Sequence, residues 1–326
     1  MTDLKRVGVL TSGGDAPGMN AAIRSTVRAC IYYGIEPVVI HEGYKGLIED
    51  QMEVANARTV ANIINQGGTF LKSARCQEFR TKEGRAKAFE NAKKAELDGL
   101  VVIGGDGSFT GAMFLEEEHG LHCIGVPGTI DNDIYGTDYT IGYDTALNTV
   151  VDAIDKIRDT ATSHNRLFFI EVMGRDAGFI ALNTGIAAGA EDILIPEQET
   201  PVEKFMESLS GSGRGGKTSS IIVVSEGDKS GGVFELSRQV EEQFPEYEVK
   251  VTVLGHIQRG GRPTCSDRVL ASRLGVAAIE ALRAGESGIM VGVRDQQVVK
   301  TPLERAISKH NEIDSKLMKV AEIVSV

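Results

Sequence analysis

Two glycine-rich segments of the sequence carry the residue types that bind phosphate. Residues 12–18 read SGGDAPG and residues 104–108 read GGDGS, and each precedes a helical pattern. Gly13 and Gly14 let backbone amides approach a ligand closely, and the start of a helix favours anions. Both segments therefore predict a phosphate-binding turn. By itself, the first can also be a tight strand-to-helix turn.

An aspartate lies inside the second glycine-rich segment. Asp106 would repel a phosphate unless a cation intervened, and Mg²⁺ binds carboxylates and phosphate oxygens together. The sequence thus predicts Mg²⁺ at Asp106. The alternative is that this side chain only caps the following helix.

Two further carboxylates, Asp131 and Asp133, stand two positions apart in the segment TIDND at residues 129–133. In an extended segment such positions point the same way. Like charges at this spacing raise each other's pKa unless a metal or a cation offsets them. One carboxylate can then bind Mg²⁺ while the other accepts a proton. An Asx-turn loop without chemistry is the alternative.

Several arginines lie in or beside predicted loops, where a guanidinium can bind phosphate through two hydrogen bonds. They are Arg75, Arg166, Arg175 and Arg259. Each by itself can be an ordinary surface residue. Two phosphate turns, three acidic residues and several loop arginines, with no Ser/His/Asp arrangement, together indicate phosphoryl transfer.

The elements that must position these residues follow from short apolar runs. Runs rich in Val, Ile and Leu occupy residues 7–11, 37–40, 100–103, 123–126, 167–172, 221–225 and 249–254. Such runs are typical of strands covered on both faces, and helical patterns between them, as at residues 19–33 and 144–160, predict an α/β fold with parallel sheets. Loops at the carboxyl ends of such strands carry function. We place a domain border near residues 141–145 and a mobile loop at residues 210–217.

Composition narrows the class of protein. The chain has a formal net charge of −11, which disfavours nucleic-acid binding. No apolar run approaches the ~20 residues that cross a bilayer, and the first residues lack a signal-peptide pattern. Four cysteines without a CxxC pair indicate free thiols rather than zinc or disulfides. We expect a cytoplasmic protein that binds neither nucleic acid nor membrane.

The segments PGTIDND (127–133), GGDGS (104–108) and GHIQRGG (255–261) resemble those of the bacterial-type ATP-dependent 6-phosphofructokinase (phosphofructokinase A) family, and the similarity spans nearly the whole chain. The resemblance implies transfer of the γ-phosphoryl group of Mg-ATP to O1 of fructose 6-phosphate. The products would be fructose 1,6-bisphosphate and ADP, in glycolysis.

The resemblance also implies an architecture. Two Rossmann-like α/β domains with mainly parallel sheets would hold the active site in the interdomain cleft. An ATP-binding domain would comprise residues 1–141 plus 257–305, and a fructose-6-phosphate-binding domain residues 142–256 plus 306–326. The family implies a homotetramer in which the sugar phosphate also meets a neighbouring subunit.

Site residues are carried over by motif position. Asp131 would be the general base, with Gly14, Arg75, Thr129, Asp133 and Arg175 completing the catalytic set. The nucleotide would contact Gly14, Arg75, Cys76, Gly105, Asp106, Gly107 and Ser108, with Mg²⁺ held at Asp106. The sugar phosphate would contact Thr129, Ile130, Asp131, Arg166, Met173, Gly174, Arg175, Glu226, Lys250, His256, Ile257, Gln258 and Arg259.

A regulatory nucleotide site, open to ADP or phosphoenolpyruvate, is implied as well. It would draw on Arg24, Arg28, Arg158, Gly189, Ala190, Glu191 and Lys217. Arg24 and Arg28 stand four apart and share one helix face, which can equally be a solvated face. The sequence departs from the family pattern at three positions: Ala57 stands where an arginine is frequent, the stretch around Gly215 lacks a second lysine, and Lys250 stands where arginine is usual.

The phosphoryl donor depends on two glycines. Pyrophosphate-using relatives have Asp at the position of Gly107 and Lys at the position of Gly128. Because both are glycine here, the sequence favours ATP. The alternatives are a pyrophosphate-dependent phosphofructokinase and a non-catalytic sensor of nucleotides or sugar phosphates.

Overall fold

The protein is described here by a computed structural model covering residues 4–161, 166–198, 205–206, 219–228 and 231–325. It divides into two compact units. The first comprises Met1–Ile130, Ile134–Thr145 and Arg259–Asn311, and the second Asp131–Asp133, Ala146–Gln258 and Glu312–Val326. The assignment of an ATP-binding and a sugar-binding domain stays a prediction. The loop expected at residues 210–217 lies outside the described residues.

Within the described residues, the strands are β1 (Arg6–Thr11), β2 (Glu36–Ile40), β3 (Met52–Val54), β4 (Gly99–Gly104), β5 (His122–Pro127), β6 (Arg166–Val172), β7 (Asp192–Leu194), β8 (Ser219–Ser225), β9 (Glu248–Val253), β10 (Ile289–Arg294) and β11 (Gln297–Pro302). The helices are α1 (Met19–Tyr32), α2 (Gly43–Ile48), α3 (Lys82–Lys94), α4 (Asp106–His119), α5 (Tyr143–Ala161), α6 (Phe179–Ala187), α7 (Val233–Gln243), α8 (Cys265–Arg283), α9 (Leu303–Ser308) and α10 (Ser315–Val324).

The first unit is built on a seven-stranded sheet with the order β11-β10-β5-β4-β1-β2-β3. The five central strands are parallel, and the edge strands β3 and β11 pair antiparallel. In β4, all six residues are buried, as expected of a strand with helices on both faces. Since β5, β4 and β1 are neighbours, the loops after them lie side by side at one edge of the sheet.

The second unit contains a parallel sheet with the order β7-β8-β6-β9. Here β6 lies between β8 and β9, so the loops that follow these three strands are adjacent. Its apolar core includes Phe169 from β6, Ile222 from β8 and Phe205. The carboxyl end of β6 is therefore the natural place for a site in this unit.

All seven predicted strands are confirmed, and so are the helices predicted over residues 19–33 and 144–160. The α/β class with mainly parallel sheets is confirmed as well. Strands β3, β7, β10 and β11 were not predicted. Within the described residues, no helix combines the length and the apolar character that crossing a bilayer requires.

Candidate active site

The first glycine-rich turn follows β1 and ends at Gly18, the residue that caps α1 with a φ of 112°. Gly13 also takes a left-handed φ, of 90°. A Cβ at Gly14 would lie 2.6 Å from Nη1 of Arg259, whose guanidinium also donates to the Asp15 carbonyl at 3.5 Å. Glycine at position 14 thus allows an arginine to lie against the turn. Arg259, predicted to bind the sugar phosphate, therefore contacts this turn of the first unit.

Residues 67–76 pack beside the first glycine-rich turn. The Ser73 hydroxyl donates to the Gly13 carbonyl at 2.8 Å, and the hydroxyls of Thr11 and Thr69 lie 2.9 Å apart. Arg75 is exposed and forms no hydrogen bond or ion pair with any described residue, so its guanidinium is available to an anion. Cys76 is half-buried and packs against the apolar core of the unit.

The second glycine-rich turn lies directly beside the first, because β1 and β4 pair in parallel. The amide of Ser12 donates to the Ile103 carbonyl at 3.0 Å. A Cβ at Gly104 would lie 2.5 Å from the Ser12 carbonyl oxygen and 2.4 Å from Oγ of Ser108. Gly107 is exposed, and a Cβ there would meet no atom within 4 Å. The backbones of the two turns are therefore in direct contact at Ser12 and Gly104, while Gly107 faces open space.

Gly104→Ala is expected to lower the free energy of unfolding by about 1–3 kcal/mol, the usual cost of forcing extra atoms into a packed region. The clash is with backbone of the first turn, so that turn must shift. Urea denaturation measures the loss. The matched control is Gly107→Ala, which adds the same methyl group where nothing is close. Equal stability of the two variants would contradict the close contact between the turns.

Asp106 is the first residue of α4 and follows the extended residue Gly105. A carboxylate oxygen at a helix start, beside exposed glycine backbone, is a suitable Mg²⁺ ligand when phosphate oxygens and waters complete the shell. A ring nitrogen of His310 lies within 4.8 Å of this carboxylate. Imidazole is a poorer ligand for Mg²⁺ than oxygen. The donor chemistry at Asp106 therefore fits Mg²⁺ bound together with a phosphate.

The segment that leads into TIDND is held against the second turn. The Gly128 amide donates to the Gly104 carbonyl at 2.9 Å, and the Thr140 hydroxyl donates to the Thr129 carbonyl at 2.6 Å. A Cβ at Gly128 would lie 3.2 Å from Cγ2 of Ile103, so a larger side chain fits poorly. Residues 104–108 and Thr129, predicted for the nucleotide and for catalysis, are thus brought together.

In the second unit, Asp131 meets Arg175. The Asp131 side chain is buried, and its Oδ2 lies 3.7 Å from Nε of Arg175, whose own side chain is 65% exposed. Of the neighbouring predicted residues, Ile130 is fully buried and Asp133 is half-buried. A buried carboxylate can accept the proton of a reacting hydroxyl. An exposed cation beside it can balance the charge of the phosphoryl group that this hydroxyl receives.

The turn that carries Arg175 is held by side chains from the two adjacent strand ends. Oε1 of Glu226 accepts from the amides of Gly174 (3.2 Å) and Arg175 (2.8 Å). Oε1 of Gln258 accepts from the Met173 amide at 3.2 Å. Arg175 has a φ of 53°, an unfavourable value for a long side chain, which these bonds maintain. Glu226 and Gln258, predicted as sugar contacts, therefore also shape the turn.

The other predicted sugar-phosphate residues of this unit lie on β6, on β9 and just after β9. Glu248 bridges the two cations, with 2.9 Å to Arg166 and 2.9 Å to Lys250. Hydrogen bonds from Lys250 and Arg166 lower the pKa of Glu248 to about 2. His256 and Ile257 are exposed. Neither cation is thus free of a carboxylate within the chain.

The predicted regulatory residues fall into two groups. Arg24 and Arg28 share one face of α1, as expected, and burial together with Arg28 lowers the pKa of Arg24. In the second unit, Arg158 donates to the carbonyls of Ala188 (2.6 Å) and Gly189 (3.0 Å). Ala190 is buried and the Glu191 carboxylate accepts from the Ile221 amide, whereas Lys217 lies outside the described residues. ADP and phosphoenolpyruvate as effectors stay predictions.

Sequence reasoning missed the residues that hold the functional loops from behind. Asp267, Thr145 and Thr140 anchor the segment that follows TIDND. Asp267 stands three residues after Thr264, which marks a helix start in the sequence. That signal locates a cap and does not reveal that the side chain reaches residues 142–145.

Comparison with known proteins identifies the family. A sequence model described as phosphofructokinase matches residues 6–282. The chain belongs to the phosphofructokinase family. It is 52% identical over 326 residues to ATP-dependent 6-phosphofructokinase 2 of Bacteroides thetaiotaomicron, covering all of both chains. It is 55% identical over 323 residues to ATP-dependent 6-phosphofructokinase 1 of Thermus thermophilus, covering 99% of this chain and 100% of the relative.

Solved structures of the family share the fold. The T-state structure of Pichia pastoris phosphofructokinase matches 99% of this chain with a TM-score of 0.88 and 34% identity, and this chain spans 39% of that longer one. A pyrophosphate-dependent phosphofructokinase of Marinobacter aquaeolei matches with a TM-score of 0.85 but only 22% identity, covering 99% and 92% of the two chains. At that identity, the likeness concerns the fold alone.

Proposed function

We propose that this phosphofructokinase uses Mg-ATP to phosphorylate O1 of fructose 6-phosphate. The observation that carries the proposal is the buried Asp131 carboxylate 3.7 Å from Arg175, in a chain 50–55% identical over its full length to several proteins named ATP-dependent 6-phosphofructokinase. A buried carboxylate suits proton removal from an alcohol, and an adjacent guanidinium suits the charge of a phosphoryl group.

The first unit supplies the nucleotide residues in this proposal. Backbone amides of the two glycine-rich turns bind the phosphates, as glycine-rich turns at helix starts do elsewhere. Arg75, in the neighbouring segment 67–76, neutralises phosphate charge. Asp106 holds Mg²⁺, which, when bound, neutralises phosphate oxygens and orients them. Gly107 leaves room beside the first turn of α4 for the nucleotide.

The second unit supplies the acceptor residues. Asp131 accepts the proton of the sugar hydroxyl as that oxygen forms a bond to the γ-phosphorus of ATP, while the bond from this phosphorus to the β,γ-bridging oxygen breaks and ADP leaves. Arg175 balances the charge on the transferring group. Glu226 and Gln258 fix the turn that carries Arg175. Arg166, Lys250 and His256 of this unit are proposed to bind the sugar phosphate, as is Arg259 of the first unit, with neighbouring subunits of a tetramer contributing.

ATP is favoured over pyrophosphate as the donor by the surroundings of two glycines. Gly107 borders open space that a longer donor can occupy, whereas Gly128 is too crowded for a lysine without adjustment. Two solved structures that carry the word pyrophosphate in their names match this chain at 21–22% identity.

A coupled assay of purified protein with fructose 6-phosphate and Mg²⁺ tests the function. ATP is expected to support turnover, and pyrophosphate at the same concentration less than a hundredth of it. Turnover with pyrophosphate but not with ATP would show that pyrophosphate, rather than ATP, is the donor. Ligand binding without Mg²⁺-dependent turnover with either donor would instead support a sensor.

A further inference from the structure

Asp267, near the start of α8, is a buried carboxylate that no predicted role accounts for. Its side chain is 1% exposed. Oδ1 accepts from the Gly142 amide at 2.8 Å, and Oδ2 accepts from the Thr145 amide at 2.8 Å and the Thr145 hydroxyl at 2.5 Å. Three donors from one short segment thus converge on a single carboxylate.

The segment held by Asp267, residues 140–145, in turn holds the start of the TIDND loop. The Ile141 amide donates to the Pro127 carbonyl at 2.9 Å, and the Thr140 hydroxyl donates to the Thr129 carbonyl at 2.6 Å. Thr129 precedes Asp131 by two residues. A displacement of residues 140–145 would therefore displace the Thr129 backbone, which leads into Asp131.

The same segment also packs against the first glycine-rich turn. A Cβ at Gly142 would lie 2.7 Å from Cβ of Ala16, and one at Gly18 would lie 2.7 Å from Cγ2 of Ile141 and 3.5 Å from Cβ of Asp267. Both glycines have a left-handed φ, of 104° and 112°. Residues 140–145 thus contact the first glycine-rich turn as well as the start of the TIDND loop, and Asp267 lies behind them.

Burying the negative charge of the Asp267 carboxylate costs free energy. Among the described residues, no lysine, arginine or histidine forms an ion pair with Asp267. Burial, opposed by the hydrogen bonds from Thr145 and Gly142 and assisted by Asp144, raises the pKa of Asp267 to about 6. Tyr143 and Asp144 are the titratable residues of the held segment, and the Asp144 carboxylate accepts a hydrogen bond from the Thr264 hydroxyl at 2.6 Å. A buried, unpaired anion with only hydrogen-bond partners is uncommon unless its geometry is needed.

We propose that Asp267 is a positioning residue for phosphoryl transfer: its ionised carboxylate fixes residues 140–145 and, through them, the Thr129 backbone and the first glycine-rich turn. The carboxylate has two acceptor oxygens, and three donors occupy them. An asparagine offers one acceptor oxygen and one donor group, so it can match only part of this set. The inference rests on the proposed kinase function for its activity readout alone.

Asp267→Asn is expected to lower kcat about 10–100-fold, since displacement of a reacting group by ~1 Å can cost that much. KM for fructose 6-phosphate and ATP should change less than threefold, because the variant retains every group proposed to touch either ligand. Amide hydrogen exchange of residues 140–145 should accelerate at least tenfold relative to the β4 amides. The matched control is Ile279→Ala, a buried residue of the same helix, which destabilises the fold but should leave kcat within twofold.

A second variant, Thr145→Val, leaves the carboxylate in place and removes a hydroxyl that donates to Asp267 and accepts from the Thr264 amide at 3.0 Å. It should reduce kcat by a smaller factor than Asp267→Asn and accelerate exchange of the same segment. If Asp267→Asn fails to fold, Thr145→Val carries the test. Unchanged kcat together with unchanged exchange in the variant that folds would overturn the proposal, as would a kcat loss that Ile279→Ala reproduces.

The exchange readout separates this inference from the proposed function. If the wild-type protein phosphorylates no sugar, the kinase assignment fails, while accelerated exchange at residues 140–145 still supports the role of Asp267. Full turnover in the wild type with unaltered exchange in Asp267→Asn contradicts the role and leaves the kinase assignment intact.

Discussion

Asp131→Asn is expected to lower kcat for phosphorylation of fructose 6-phosphate by about 10²–10⁴-fold, the usual contribution of a general base. The amide has nearly the shape of the carboxylate, so the buried site should stay filled. It cannot accept the hydroxyl proton. KM for ATP should be little changed, because the nucleotide residues belong to the other unit. Steady-state kinetics with saturating substrates measures the loss.

The control for this prediction is a charge loss away from the site. Asp155→Asn removes one exposed carboxylate of α5 and should leave kcat within twofold. The thermal unfolding midpoint of both variants shows whether the fold is intact. A folded Asp131→Asn enzyme with kcat within threefold of the wild type would contradict the assignment of the base.

The strands that position the site were predictable because their physics is local. Buried parallel strands need continuous apolar residues, and the run at residues 100–103 became the centre of the fully buried strand β4. The loops follow from the strands, since carboxyl ends of neighbouring parallel strands meet at one edge. The apolar runs do not determine the order of the strands in the sheet, which only the structure shows.

Edge strands escaped prediction for a physical reason. In β11, most residues are exposed, so the segment QVVKTP lacks a sustained apolar pattern. Strand β3 has only three residues, two of them exposed. Such strands are specified by pairing with a neighbour, which the sequence does not display.

Residues that act on other residues were the hardest to predict. Glu248 gave no signal in a chain rich in glutamate, yet it pairs with both Arg166 and Lys250. Asp267 is 122 residues from Thr145 in the sequence, so only the fold reveals their contact. Loop motifs predict which groups meet a ligand. They do not predict which groups hold the loop.

Gly107→Asp is expected to lower kcat/KM for ATP by at least ~10²-fold. A Cβ at this position meets no atom within 4 Å, and a carboxylate in the first turn of α4 suits the helix dipole, so the fold should be retained. The new charge would lie where we propose the nucleotide phosphates bind. Repulsion between two unit charges ~4 Å apart is about 4 kcal/mol at an effective dielectric constant of ~20, or roughly 10³-fold in rate.

The matched control for this donor test is Gly107→Asn, which adds a side chain of the same size without charge. If repulsion dominates, Asn should cost far less than Asp, and the difference should shrink at high salt, because screening weakens exposed charges. If both variants lose ATP turnover equally, occupied volume is the cause, and a short donor such as pyrophosphate should be less affected than ATP. Undiminished ATP turnover in Gly107→Asp would place the nucleotide elsewhere, because no ligand phosphate could then lie beside the start of α4.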